Sequence, residues 1–162
     1  MAAVDYFLKL DGIKGESHKD GHKDEIDLES WSWGESQTGT GHGTGGHGAG
    51  KVSMQDFHFV MQVNKASPKL MEACATGEHI KDATMTCRKA GGKQEAFLKI
   101  KFTDVLISSF QTGGSGGSDI IPTDQISLNF AKIEYEYYVQ DQRGQLTLGG
   151  KAGYDVKAGK KV

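Results

Sequence analysis

The sequence predicts an all-β domain with a single short helix, and within that class a β-barrel. Apolar and polar residues alternate along most of the chain, which is the side-chain period of a strand. Only one segment has the start and stop signals of a helix, and 23 glycines in 162 residues supply turns and bends. A chain of this length fits one domain, here 1–162, and can bury a core without disulfides or a metal. The sequence therefore indicates a single mainly β barrel domain.

The first strand is predicted over residues 4–10, where alternation ends at a turn formed by Asp11 and Gly12. Further along, three segments change parity within a single strand. These are 25–34, 52–63 and 126–139. Because one extra residue turns the next side chains to the other face, each segment predicts a bulge or a strand whose two halves bury different surfaces.

The single helix is predicted over residues 67–77. Ser67 is the expected N-cap and Pro68 the first helical residue, while a glycine closes the segment. Leu70 and Met71 are expected to face the core from this helix.

The second half of the chain predicts a hairpin and a polar tail. Residues 83–88 and 96–102 read as two strands joined by a glycine-containing turn. The tail from 140 onward is polar and glycine-rich, with one short strand predicted at 145–148.

Charge and cysteine content exclude several classes of protein. A net charge of −2 argues against nucleic-acid binding. Cys74 and Cys87 are too few for a disulfide framework, fit a reducing cytosol, and are expected in the core. Asp5 and Lys9 interrupt any signal-peptide apolar region, and no stretch is long enough for a membrane helix, so we expect no membrane insertion.

The run from Gly39 to Lys51 contains two motif-like spacings. A G-x-G-x-x-G spans Gly41 to Gly46, but it lies in a compositional glycine run and no helix is predicted after it. A near P-loop fails because Val52 stands where a serine or threonine would bind magnesium. The run is therefore not predicted to bind a dinucleotide or a nucleotide phosphate.

The histidines do not predict a metal site. His18 and His22 are four residues apart, but the segment between them reads as a loop and no third ligand is near in sequence. His42 and His47 lie in the glycine run, which would lose much entropy on ordering. Since no catalytic motif occurs either, we expect no cofactor, no metal and no enzymatic activity.

The segment SWSWG places two kinds of side chain on opposite faces of a strand. Trp31 and Trp33 are expected in the core, which turns Ser30 and Ser32 to the other face. A small, polar, uncharged surface of this kind suits another molecule sliding past it.

Several segments together resemble the haemolysin-coregulated protein (Hcp) family, the tube proteins of bacterial type VI secretion. They are LKLDGIKGES (8–17), SWSWG (30–34), SPKLMEACATGEHI (67–80), TCRKAGG (86–92), DVLISSFQTGGSGG (104–117) and SLNFAKIEYEY (127–137). The resemblance covers residues 4–139 in the order of the family and does not extend over the tail.

The resemblance implies a β-barrel built from two sheets with one short flanking α-helix. It also implies a homohexameric ring with an open lumen, and stacked rings that form a tube inside contractile sheath proteins beneath a valine-glycine repeat spike protein. The subunit would be made in the bacterial cytoplasm and exported without a signal peptide, with small effector proteins carried and protected in the lumen.

The same resemblance assigns roles to particular residues. The serine between the two tryptophans, Ser32, would face the lumen, and we expect Ser30 and Ser32 to contact effectors. The glycine-rich run would be the ring-ring stacking loop, and its residues are Gly39, Gly41, His42, Gly43, Gly45, Gly46, His47, Gly48 and Gly50. The expected core residues are Trp31, Trp33, Leu70 and Met71.

Two other classes of protein remain open from the residues themselves. A monomeric carbohydrate- or peptide-binding β-barrel would use Trp31, Trp33 and the tyrosines at 135, 137 and 138 as stacking platforms. A metal-dependent enzyme would need stoichiometric metal in the purified protein.

Overall fold

The structure is a computed structural model that describes residues 4–39, 51–89 and 95–162. Within these ranges the chain forms eleven strands and one helix, and 59% of the described residues are in strands. The elements are β1 (Val4–Leu10), β2 (Ile26–Leu28), β3 (Ser30–Ser32), β4 (Glu35–Gln37), β5 (Val52–Met54), β6 (Phe57–Gln62), α1 (Ser67–Thr76), β7 (His79–Lys89), β8 (Ala96–Gly113), β9 (Thr123–Gln140), β10 (Leu146–Asp155) and β11 (Lys160–Lys161).

A nine-stranded sheet closes on itself to form the barrel. Strand β1 pairs antiparallel with β2 and β7, and the ladder continues through β8 and β9 to β6 and then β3. Because β2 and β3 are one stretch of chain interrupted at Glu29, that stretch joins β1 to β6 and completes the wall. The N–H of Glu29 donates to the carbonyl of Val60 at 2.8 Å across this joint.

A separate two-stranded sheet, β4 with β5, leaves the barrel as a hairpin. The prediction of a mainly β barrel with two sheets and one short helix is therefore confirmed. The two sheets are unequal, since one forms the whole wall and the other is only this hairpin.

Strands β8 and β9 change their buried face at the same level of the barrel. On β8 the buried positions change parity between Phe102 and Val105. On β9 they change parity between Phe130 and Ile133. Asp104 lies at this corner with a φ of 56°, a conformation that non-glycine residues rarely adopt. Before the corner β9 pairs with β6, and after it β9 pairs with β10.

The core lies inside the barrel and includes a chain of aromatic rings. The ring centroids of Phe57 and Phe102 are 4.8 Å apart, and those of Phe102 and Phe130 are 4.9 Å apart. Trp31 and Trp33 pack against this core while staying partly exposed, so each tryptophan forms the border of the core rather than its centre.

The helix runs as predicted to a left-handed Gly77, but two details of the prediction are wrong. Ala66 is the N-cap and Ser67 is already helical, so the Ser67 hydroxyl bonds elsewhere. Leu70 is fully buried, whereas Met71 is 52% exposed and does not belong to the core. Successive helical residues point about 100° apart, and only the Leu70 side of this short helix contacts the barrel.

The tail is more structured than the sequence indicated. Instead of a short strand at 145–148, β10 has ten residues, of which nine pair with β9, and a bulge lies between Leu148 and Gly150. Gly149 is required there, because a Cβ at this position would lie 2.6 Å from a side-chain methyl of Val139.

Candidate functional site

One outer wall of the barrel is a continuous polar face made by four neighbouring strands. The backbone register places Ser32 of β3 beside His58 of β6, His58 beside Ser127 of β9, and Ser127 beside Ser109 of β8. In the next row, Val60 of β6 lies between Ser30 and Gln125. We call this surface the polar face; it is defined by Ser30, Ser32, His58, Ser109, Gln125 and Ser127.

The polar face is ordered by hydrogen bonds between its own strands. Nδ1 of His58 lies 3.2 Å from Oγ of Ser127. At one end of the face, Asp56 accepts a 2.6 Å hydrogen bond from the Ser108 hydroxyl and a 3.0 Å bond from the Asn129 amide. These cross-strand contacts bring together residues that are more than 50 positions apart in the chain.

The predicted pair Ser30 and Ser32 lies on this surface, and both side chains are exposed. The intervening Trp31 points inward, where its ring stacks on Phe57 at 6.1 Å between centroids. Trp31 therefore does not offer the open stacking platform that a carbohydrate-binding module would need.

The wall around the C-terminal half of β9 is charged instead. Lys99 and Lys101 of β8 stand opposite Glu136 and Glu134 of β9. On the other side, Lys151 Nζ lies 3.3 Å from Glu136 Oε1. The hydrogen bond from Tyr138, followed by the interaction with Lys151, lowers the pKa of Glu136. Here each acid has a basic partner, unlike on the polar face.

An exposed apolar stripe continues the inner face of β9 beyond the barrel. Tyr135, Tyr137 and Val139 are 42–48% exposed. Such a row of large apolar side chains on a sheet is a common mark of a protein-protein contact.

A groove of about 1070 Å³ lies beside this stripe, between the β4–β5 hairpin and the β9–β10 ladder. Its apolar lining includes Trp33, Met54, Ile133 and Tyr154. The Trp33 indole N–H is buried and has no hydrogen-bond acceptor among the described residues. A buried donor of this kind costs free energy until an acceptor reaches it.

The glycine-rich run falls almost entirely outside the described residues. Gly39 is described and is exposed with open space around its Cα. The other predicted stacking residues, and the histidines at 42 and 47, lie within 40–50, outside the described ranges. The role of this run in stacking stays a prediction.

The remaining candidate residues serve packing. The His22 ring stacks on Phe7 at 4.3 Å, and its Nδ1 lies 3.1 Å from both carboxylate oxygens of Glu25. Burial raises the pKa of the Cys87 thiol to about 12, whereas Cys74 on the helix is only partly buried. Among the described residues, no three His, Cys, Asp or Glu side chains come close enough together to hold a metal ion.

The sequence missed most of the polar face. Only its two β3 serines were identified, because His58, Ser109, Gln125 and Ser127 come from distant strands whose pairing brings them together. One signal was present in the sequence: no lysine or arginine occurs from residue 102 to 131. Within the described ranges, no helix is both long and apolar enough to span a membrane.

The closed barrel, the polar face and the exposed apolar stripe define a β-barrel protein with two distinct exposed surfaces. Comparison with known proteins identifies the particular kind. The family model described as "Type VI secretion system effector, Hcp" matches residues 7–137. The protein hcp1 of Pseudomonas aeruginosa is 48% identical over 158 residues, which are 97% of this chain and 94% of that relative.

Solved structures agree with this match. Hcp1 from Salmonella typhimurium is similar with a TM-score of 0.81 and 36% identity, over 99% of this chain and 100% of that one. A structure described as a type six secretion system protein has a TM-score of 0.92 and 31% identity, with the same coverage. The chain therefore belongs to the Hcp family of type VI secretion tube and effector proteins, and it is a secreted protein. This assignment does not favour a monomeric carbohydrate- or peptide-binding module.

Proposed function

We propose that the chain is a non-enzymatic subunit that assembles into homohexameric rings, and that these rings stack into the inner tube of a type VI secretion system. The observation that carries this proposal is the division of the outer surface. One wall is small, polar and uncharged over most of its area, and the β9–β10 extension exposes an apolar stripe.

Each of these surfaces fits one part of a ring. The apolar stripe, with Tyr137 and Val139, is the contact between adjacent subunits, because burying large apolar side chains drives association. The polar face lines the lumen, since short uncharged side chains neither adhere strongly to passing cargo nor obstruct it. Ser30 and Ser32 then contact effector proteins directly.

The other partners and the route of export follow from the same proposal. The stacked rings lie inside contractile sheath proteins and beneath a valine-glycine repeat spike protein. The subunit is made in the bacterial cytoplasm and leaves with the tube when the sheath contracts, together with the effectors in its lumen.

Negative-stain microscopy of the purified protein, together with its mass in solution, tests the assembly. Six-membered rings are expected, and a monomer at every concentration would contradict the proposal.

The lumen assignment is tested by Ser32→Trp, which should leave the rings intact while lowering the amount of effector retained in cells. Ala75→Trp, on the exposed side of α1, is the matched control and should retain effectors normally. Equal retention in the two variants would rule out the lumen role of Ser32.

The stacking role of the glycine-rich run has its own test. Shortening 39–50 should leave hexamers but weaken the stacking of rings, because the run would then be too short to reach the next ring. Glycine-rich segments lose much conformational entropy when they are ordered, so the entropy lost on contact would also keep isolated rings from polymerising. If the shortened protein forms tubes as readily as the parent, the run has no part in stacking.

A further inference from the structure

The polar face and its surroundings carry acidic side chains without basic ones. No lysine or arginine occurs in 24–50, 52–64 or 102–131, the segments that contain β3, β6 and the halves of β8 and β9 that form the face. Asp56 lies on the face, and Glu29 is exposed at its edge beside Ser30. The face therefore presents negative charge that no basic side chain within these segments compensates.

The geometry of Asp56 leaves its carboxylate ready for a further partner. Both oxygens accept one hydrogen bond each, from the uncharged groups of Ser108 and Asn129, so the carboxylate is oriented without being neutralised. An ionised carboxylate offers about four acceptor positions, of which two are used here. Asp56 is partly exposed and both of these hydrogen bonds are exposed, so the carboxylate can still be reached from solvent.

We propose that the polar face binds cargo that presents lysine or arginine side chains, and that Asp56 is the carboxylate with which they pair. The inference rests on the proposed function, which turns this face towards the cargo. In a hexamer six copies of Asp56 would surround the lumen. Weak contacts made at several of them at once would add to a useful affinity, while each single contact stays weak enough to release.

The experiment uses assembled rings and one small globular probe protein in two versions of equal size, a lysine-rich and a glutamate-rich surface variant. At about pH 7.5 and low salt, wild-type rings should bind the lysine-rich probe roughly tenfold more tightly, since charge pairs at exposed sites depend on such conditions. Asp56→Asn should remove most of this preference. Asp104→Asn is the matched control, because Asp104 is an exposed carboxylate that faces His79 away from the polar face.

The inference is overturned if Asp56→Asn rings keep the preference, or if both probes bind wild-type rings equally. Absence of rings would contradict the proposed function instead, and the charge preference would then be measured on the single chain, where the face is exposed.

Discussion

Ser67, the first residue of the helix, donates a 2.6 Å hydrogen bond from its hydroxyl to Oδ2 of Asp124 on β9. Asp124 is fully buried, and its other oxygen has no hydrogen-bond partner among the described residues. The Ser67 hydroxyl also accepts the N–H of Asn64, so one side chain joins the turn before the helix to the barrel wall.

Ser67→Ala should lower the free energy of unfolding by about 1–3 kcal/mol, because it leaves a buried carboxylate without any hydrogen bond. Urea denaturation at a fixed protein concentration measures this change. Ser108→Ala is the matched control: it also removes a 2.6 Å bond to an aspartate, but at an exposed position where water replaces it. The control should cost less than about 0.5 kcal/mol. Equal losses in the two variants would show that the burial of Asp124 does not matter.

Asp104 permits the corner in β8 by adopting a left-handed conformation, with φ at 56°. Asp104→Ala should destabilise the fold by about 1–2 kcal/mol. Alanine lacks the short polar side chain whose local hydrogen bonds let aspartate and asparagine adopt the left-handed conformation. Asp104→Asn should be nearly neutral, since asparagine tolerates the same conformation. The exposed contact with His79 adds little, so both variants lose about the same small amount from it. If thermal unfolding shows the same loss of stability in Asp104→Ala and Asp104→Asn, the predicted backbone strain at this corner is contradicted.

Asp27 provides a pH-dependent test, because burial and then the nearby Asp5 charge raise the pKa of its carboxyl despite the partial offset from Lys19. The folded state then holds the proton more tightly than the unfolded chain, so ionised Asp27 destabilises the fold at neutral pH and this penalty disappears as the pH falls through its raised pKa. Asp27→Asn should therefore raise the unfolding free energy at about pH 7, by less than about 1 kcal/mol since the residue is largely exposed.

The advantage of Asp27→Asn should vanish below about pH 3, where the carboxyl is protonated in both states. Asp119→Asn, in the exposed loop before β9, serves as the control and should change stability at neither pH. A gain that persists at acid pH would mean that the substitution acts through packing and not through charge.

The parity of apolar residues could be read from the sequence, whereas the pairing of distant strands could not. The change of parity in 25–34 falls at Glu29, where the chain stops pairing with β1 and starts pairing with β6. The change in 126–139 falls at the corner where β9 stops pairing with β6 and starts pairing with β10. The sequence cannot say which strand receives each half, because that depends on contacts between residues far apart in the chain.

Two other features escaped the sequence for local reasons. β10 shows no alternation because six of its ten residues are exposed and none is buried, so neither face is selected for apolar side chains. Met71 follows Leu70 in an apolar pair, and the pattern of so short a helix does not show how narrow its contact with the barrel is. Ser30 and Ser32, in contrast, could be placed on one face from alternation alone, because the tryptophans fix the other face.

Tyr137 and Tyr138 are adjacent in β9 but point to opposite faces. Substituting each in turn therefore distinguishes an effect on ring assembly from an effect on folding. Tyr137 is 48% exposed within the apolar stripe, whereas the Tyr138 hydroxyl donates a 2.8 Å hydrogen bond to Glu136 on the charged wall. Tyr137→Ser should shift the protein from rings towards monomers, because each contact between subunits loses a large apolar side chain. We expect the concentration needed for half assembly to rise roughly tenfold or more, measured by analytical ultracentrifugation.

Tyr138→Ser is the control and should form rings at the wild-type concentration, with at most a small loss of stability. Circular dichroism should show folded strands in both variants, since neither tyrosine belongs to the buried core. Rings of Tyr137→Ser that form as readily as the wild type would place the subunit contact elsewhere. Loss of rings in Tyr138→Ser alone would place the subunit contact on the charged wall. Ion pairs there, such as Glu136 with Lys151, would then have to separate before a neighbouring subunit could bind.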